Sequence, residues 1–180
     1  MIWRDPYVDT AAIYLPRSVV ERLSLEAERL GLSLEEYILE LLLQPLDPAE
    51  RAREYISTAK EMLNRAWKAL KEGDVRQAAE KVWGAAALAV KAYAAWREGR
   101  KLTSHGELWR YRRRLEKELG EWVYDSWMSA NGMHTCFYEN WCEREDVEEA
   151  FKRVSRLVEE VKKAIRTGPP SGGSAAERTR

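Results

Sequence analysis

The chain has 180 residues, 45% hydrophobic and 33% charged, with 30 Lys+Arg balanced by 30 Asp+Glu. That length supports one core, or one core with a small appendage, and the zero net charge excludes capture of nucleic acid or membrane by the whole-chain field, leaving only local patches. The longest apolar runs, such as Trp83 to Val90, are short against the roughly 18 residues a membrane span needs, and the start Met-Ile-Trp-Arg-Asp-Pro does not read as a signal peptide, so a cytoplasmic protein with no membrane partner is expected.

Residues 1–9 read as an irregular arm, followed by Thr10-Ala-Ala-Ile-Tyr-Leu-Pro16, a short extended segment stopped by proline. Arg17 to Leu30 carries Val20, Leu23, Ala27 and Leu30 at helical spacing, with Gly31 placed as its C-terminal cap. Ser33-Leu-Glu-Glu36 is a capping box for a second helix, which Pro45 ends. Together, residues 1–46 form a first unit.

Asp47-Pro-Ala-Glu50 reads as another capping box with proline at the first helical position. Gly73-Asp74 closes the helix it opens and caps the next. That next helix, Val75 to about Arg97, is apolar around most of its circumference, so it should be buried on several sides. Ser104-His-Gly-Glu107 predicts a further capped helix through Leu115 and Leu119, with Gly120 as its breaker before an aromatic stretch from Trp122 to Trp141. The final helix, Glu143 to Arg166, spaces Val147, Phe151, Val154, Val158, Val161 and Ile165 by steps of four and three, which predicts a packing seam. The fold class expected is all-α: an antiparallel helix bundle over 47–166, with the small N-terminal strand-helix-helix unit before it. From Thr167 the chain is Gly-, Pro- and Ser-rich and reads as a disordered tail, 167–180. Five amides (Gln44, Asn64, Gln77, Asn131 and Asn140) among many Arg, Glu and Lys give a thermophile-like balance.

The strand, helix, Gly31-Leu-Ser33 and second helix resemble the ribbon-helix-helix fold. The resemblance implies a homodimer whose ribbon pairs between two chains, and in many such proteins DNA binding by the ribbon. Ala11, Ile13 and Leu15 would point inward, and Thr10, Ala12 and Tyr14 outward. That outward set offers few hydrogen-bonding groups for base edges, so a dimerisation or packing unit is preferred to a sequence-specific DNA-binding one.

Ala78-Ala-Glu-Lys-Val-Trp-Gly-Ala-Ala-Ala-Leu-Ala-Val-Lys-Ala-Tyr93, Ser104-His-Gly-Glu-Leu-Trp109 and Phe137-Tyr-Glu-Asn-Trp141 resemble, in order, the motifs of the archaeal PaREP family. That family looks related to HEPN helical domains, which partner small nucleotidyltransferases or act as ribonucleases. The resemblance implies a helix bundle, commonly dimeric, with a nucleotide or RNA role. HEPN ribonucleases carry Arg, four to six residues, then His near the start of a late helix. His134 stands at about that place, but Trp127, Met128 and Ser129 occupy the arginine positions, so the motif is broken. Arg100 and His105 match the spacing on an earlier loop. The preferred reading is therefore a non-catalytic module for nucleotide, RNA or a nucleotidyltransferase partner. A divergent ribonuclease using His134 or His105 is the alternative, and a DNA-binding regulator the third.

His105, alone at a helix start, also reads as a structural histidine hydrogen-bonded to a neighbouring helix. His134, Cys136 and Cys142 match no zinc spacing, so no metal is expected there. The two cysteines give no disulfide framework and read as buried thiols in an aromatic cluster, oxidisable in a hyperthermophile. Arg110, Arg113, Arg114 and Lys117 follow steps of three and four, and with Trp109 or Tyr111 stacking on a base they are candidates for phosphate or nucleic-acid contact. The alternative is a solvated face answering the acids of Glu143 to Glu149. No glycine-rich phosphate loop follows a strand, and no cofactor is expected.

Overall fold

The computed structural model describes residues 2–4, 11–30 and 32–168, with side chains from Ile13 onward. The expected cap Gly31, the outward-facing Thr10 and the tail beyond Gly168 lie outside the described residues. The chain divides into two compact units, residues 1–45 and 46–180.

In the first unit, β1 (Ile2–Arg4) pairs antiparallel with β2 (Ala11–Ile13), Trp3 opposite Ala12. Two helices follow, α1 (Arg17–Leu30) and α2 (Leu34–Leu43). The box at Ser33 is reciprocal: the Glu36 amide donates to Ser33 Oγ at 3.2 Å, and the Ser33 amide donates to Glu36 Oε2 at 2.9 Å. Such a box satisfies two of the amides a helix start leaves unpaired. Ile13, Leu25, Leu30 and Leu42 are exposed. For Ile13, and for Leu15, which is exposed as well, this differs from the inward position expected of them.

Among the described residues the second unit is a bundle of five helices: α3 (Pro48–Glu72), α4 (Val75–Glu98), α5 (His105–Leu119), α6 (Trp122–Glu139) and α7 (Arg144–Thr167). At α3 the expected box is one-sided. Asp47 Oδ1 accepts from the amides of Ala49 and Glu50 at 2.8 and 2.9 Å, while Glu50 makes no return bond. Gly73, at φ 83°, takes the left-handed conformation that reverses the chain after α3. Asp74 Oδ1 then accepts from the Gln77 amide at 3.0 Å to start α4.

The centre of the bundle is α4. Every residue from Val82 to Trp96 is buried, and the helix packs against α3, α5, α6 and α7. Its small residues permit this. A Cβ on Gly84 would stand 2.7 Å from Met62 Sδ, so the missing side chain leaves room for Met62 of α3. On α7 the buried set is Val147, Ala150, Val154, Leu157, Val158 and Val161, while Phe151 and Ile165 of the expected seam are half-buried. The packing face is thus wider than a coiled-coil seam. Each fully buried Val or Leu contributes roughly 1.5–3 kcal/mol of transfer free energy.

The aromatic stretch after Gly120 is a full helix, α6, which the sequence reading did not define as one. Its inward set is Val123, Ser126, Trp127, Ala130, Met133 and Cys136. No helix among the described residues is long and apolar enough to cross a membrane.

Candidate functional site

The loop entering α5 is held by one carboxylate. Glu107 accepts from the Thr103 amide at 2.7 Å, from Thr103 Oγ1 at 3.0 Å and from Arg100 Nη2 at 3.3 Å. These bonds, the Thr103 amide foremost, hold the Glu107 carboxyl below its usual range. Glu107 therefore reaches back to Thr103 rather than to Ser104, and the expected reciprocal box is only half made, by the Glu107 amide donating to Ser104 Oγ at 3.3 Å. Arg100, the arginine of the spacing match with His105, is engaged here and lies 5.9 Å over the Tyr111 ring.

This loop sets His105 as the first residue of α5. Its ring meets two partners. Trp83 of α4 lies 5.4 Å away, centroid to centroid, at 84°. His134 of α6 lies 4.9 Å away at 85°. His134 rests on the same Trp83 ring at 4.7 Å and touches Tyr138, one turn on, at 5.2 Å. Trp127 packs beneath Trp83 at 5.2 Å and meets Trp109 edge-on at 5.7 Å. The two histidines, 29 positions apart in sequence, thus share one indole as a floor. Trp83 is 5% exposed and Tyr138 68% exposed, so the floor is buried and the rim is open to solvent. A pair of imidazoles in this setting can relay protons, hydrogen-bond an oxyanion or share a cation.

The end of α6 is fixed from two directions. Arg76 donates through Nε to the Phe137 carbonyl at 2.6 Å and lies 4.9 Å over the Phe137 ring. Asn140 takes a left-handed φ of 52° and ends the helix. Beyond it, Cys142 turns back to form a disulfide with Cys136, Cα to Cα 5.6 Å. The expectation of buried thiols is corrected in its chemistry: both sulfurs are buried, but bonded to each other. Neither is available as a ligand beside His134.

The cations of α5 divide into two groups. Arg114 pairs with Glu98 and Glu118, and Arg97 donates to Glu118 Oε2 at 3.1 Å, where Tyr93 also donates at 2.6 Å. Arg112 is buried, paired with Glu116 and set against the rings of Trp109 and Tyr124. Arg110, Arg113 and Lys117 are exposed, and no carboxylate among the described residues pairs with them. The acids expected to answer this face do not. Glu148 and Glu149 pair within α7, with Arg144, Lys152 and Arg153.

The expected binding set is therefore not one surface. Arg114 is committed to ion pairs, Tyr111 is 5% exposed, and Trp109 is half-buried against Trp127. At 3.6 residues per turn, His105 and Arg110 are about 140° apart around α5. The histidine pair, to which α5 contributes His105 and α6 His134, and the exposed cations of α5 are therefore separate features.

Among the described residues the second unit is thus a five-helix bundle with an all-round buried central helix and a histidine pair beside an indole at its α4–α5–α6 surface. Residues 54–158, more than half of the chain and all within this bundle, match the archaeal PaREP1/PaREP8 family, and the chain belongs to that family. No curated protein and no solved structure matches it.

Proposed function

We propose that this chain is a non-catalytic, HEPN-like binding module that engages single-stranded RNA or a nucleotide by its phosphates along α5. The observation that carries the reading is the ridge Arg110–Arg113–Lys117. Among the described residues these three exposed cations have no carboxylate partner, while the neighbouring Arg112 and Arg114 are both paired. The ridge spans about 10 Å of helix, enough for two or three consecutive phosphates. The test is fluorescence anisotropy of a labelled RNA oligonucleotide with the wild type and with Arg110→Ala/Arg113→Ala/Lys117→Ala. Loss of binding in the triple variant is expected; equal affinity refutes the assignment.

A second reading is favoured by the 4.9 Å approach of His105 and His134: a metal-independent ribonuclease. One imidazole would take the proton of a ribose 2′-hydroxyl as its oxygen attacks phosphorus. The other, as imidazolium, would protonate the departing 5′-oxygen, leaving a cyclic phosphate. Incubation with RNA separates the readings: cleavage lost in both His105→Ala and His134→Ala supports the enzyme, and intact RNA with wild type supports the binding module.

The first unit is proposed as a ribbon-helix-helix-like dimerisation unit. Its exposed Ile13, Leu25, Leu30 and Leu42 support that role, since apolar surface of this kind is covered in a dimer. Light scattering should give twice the chain mass, and a monomer at micromolar concentration would contradict it. A nucleotidyltransferase partner and sequence-specific DNA binding rest on resemblance alone.

A further inference from the structure

We infer that Tyr124 is a stacking platform for a nucleobase of the RNA strand. The inference rests on the reading of Arg110, Arg113 and Lys117 as a phosphate ridge, and adds the group that meets the base. Tyr124 stands in the first turn of α6 and is 43% exposed. The Arg112 guanidinium lies over its ring, 4.8 Å from the centroid. Arg112 is itself buried, paired with Glu116 and set 5.7 Å over the Trp109 ring. One face of the tyrosine is thus covered by a fixed group, while nearly half of the residue meets solvent. A ring held from behind in this way loses little freedom when a base stacks on it.

The ridge follows on the same side of α5. Trp109 and Arg112 both meet α6, at Trp127 and at Tyr124. At about 100° per residue, Trp109 stands about 60° around α5 from Arg112, Arg113 about 40° further, and Lys117 about 40° further again. Arg114 lies on the opposite flank and pairs with Glu98 of α4. The ridge therefore borders the α5–α6 seam where Tyr124 sits. Arg112 and Arg113 are consecutive, their Cα atoms about 3.8 Å apart, so a base on Tyr124 and a phosphate on Arg113 would belong to one nucleotide or to neighbours in a strand.

The surface beside the ring suits a base. Met128, one turn beyond Tyr124 on α6, is also exposed and carries no charge. Stacking on such a surface is tolerant of sequence, because every base has a π-face.

The test is fluorescence anisotropy of the full chain with two end-labelled strands of equal length and charge, an adenine RNA octamer and an abasic ribose-phosphate octamer. The wild type should bind the adenine strand about tenfold more tightly, the size of one aromatic–base stack. This comparison needs no variant to fold. Tyr124→Leu, which keeps an apolar cover over Arg112 without a π-face, should remove the preference and leave the abasic affinity unchanged. Tyr124→Phe should keep the preference, since stacking uses the ring and not the hydroxyl. Equal wild-type affinity for the two strands, a preference that survives Tyr124→Leu, or its loss in Tyr124→Phe would each overturn the platform and leave the phosphate ridge standing. Failure of both strands to bind the wild type would overturn the platform and the ridge together.

Discussion

His105 at the start of α5 and His134 on α6 lie with their ring centres 4.9 Å apart, both seated on the indole of Trp83. One α4 side chain thereby positions two groups from two other helices. Trp83 also touches Trp127, so the floor of the site is continuous with the core.

Removing that floor should damage stability and site together. Trp83→Ala deletes a nearly buried indole, and large-to-small core changes of this kind cost about 3–5 kcal/mol. Urea unfolding should show that loss, and histidine resonances in the surviving folded fraction should lose their ring-current shifts. A cost below about 1 kcal/mol would mean that Trp83 does not bridge the core and the site.

The Cys136–Cys142 disulfide closes a short loop, with a sequence separation of 6. Loop-closure entropy for so short a loop gives about 2 kcal/mol. Cys142→Ser, or full reduction, should therefore lower the melting temperature by about 5–10 °C. Thiol titration of the native protein should find no free thiol before reduction. Two reactive thiols per unfolded, unreduced chain would contradict the pairing.

Glu118 carries the pH dependence of the α4–α5 contact. Burial opposes its ionisation, but hydrogen bonds from Tyr93 and Arg114 and the charges of Arg97 and Arg114 outweigh this and hold its carboxyl below the ordinary 4.5. The folded form thus keeps the charge to lower pH than the unfolded chain does. Its stabilisation is complete above the unfolded value and is lost as pH falls through the depressed folded one. Glu118→Gln should cost about 1 kcal/mol at pH 7, after discount for solvent screening, and much less once the pH has fallen through the depressed folded value. The check is unfolding free energy of both proteins across pH 2–7; a pH-independent difference would place the effect in packing instead.

The helices with clear punctuation were legible in the sequence. Asp47-Pro48, Gly73-Asp74 and Ser104 each stand where a helix begins or ends, because capping chemistry is local. The reciprocal partners were less legible: Glu107 bonds Thr103 instead of Ser104, a choice made by the incoming loop. α6 was obscured because exposed Tyr124, Met128 and Tyr138 interrupt its apolar period, and Ser126 occupies a buried position. The histidine pair was hidden with it. The disulfide was hidden too, since six residues along one helix would place two cysteines about 120° apart around the axis and about 9 Å apart along it. Only the left-handed turn at Asn140 brings them together.

The cationic ridge of α5 is tested most directly by the salt dependence of RNA affinity. A single-stranded oligonucleotide titrated between 50 and 300 mM salt should give a log–log slope of about −2, from three phosphates at about −0.7 each. Lys117→Ala alone should reduce the slope by about 0.7. An affinity flat across that range, or a slope unchanged by the substitution, would contradict the account.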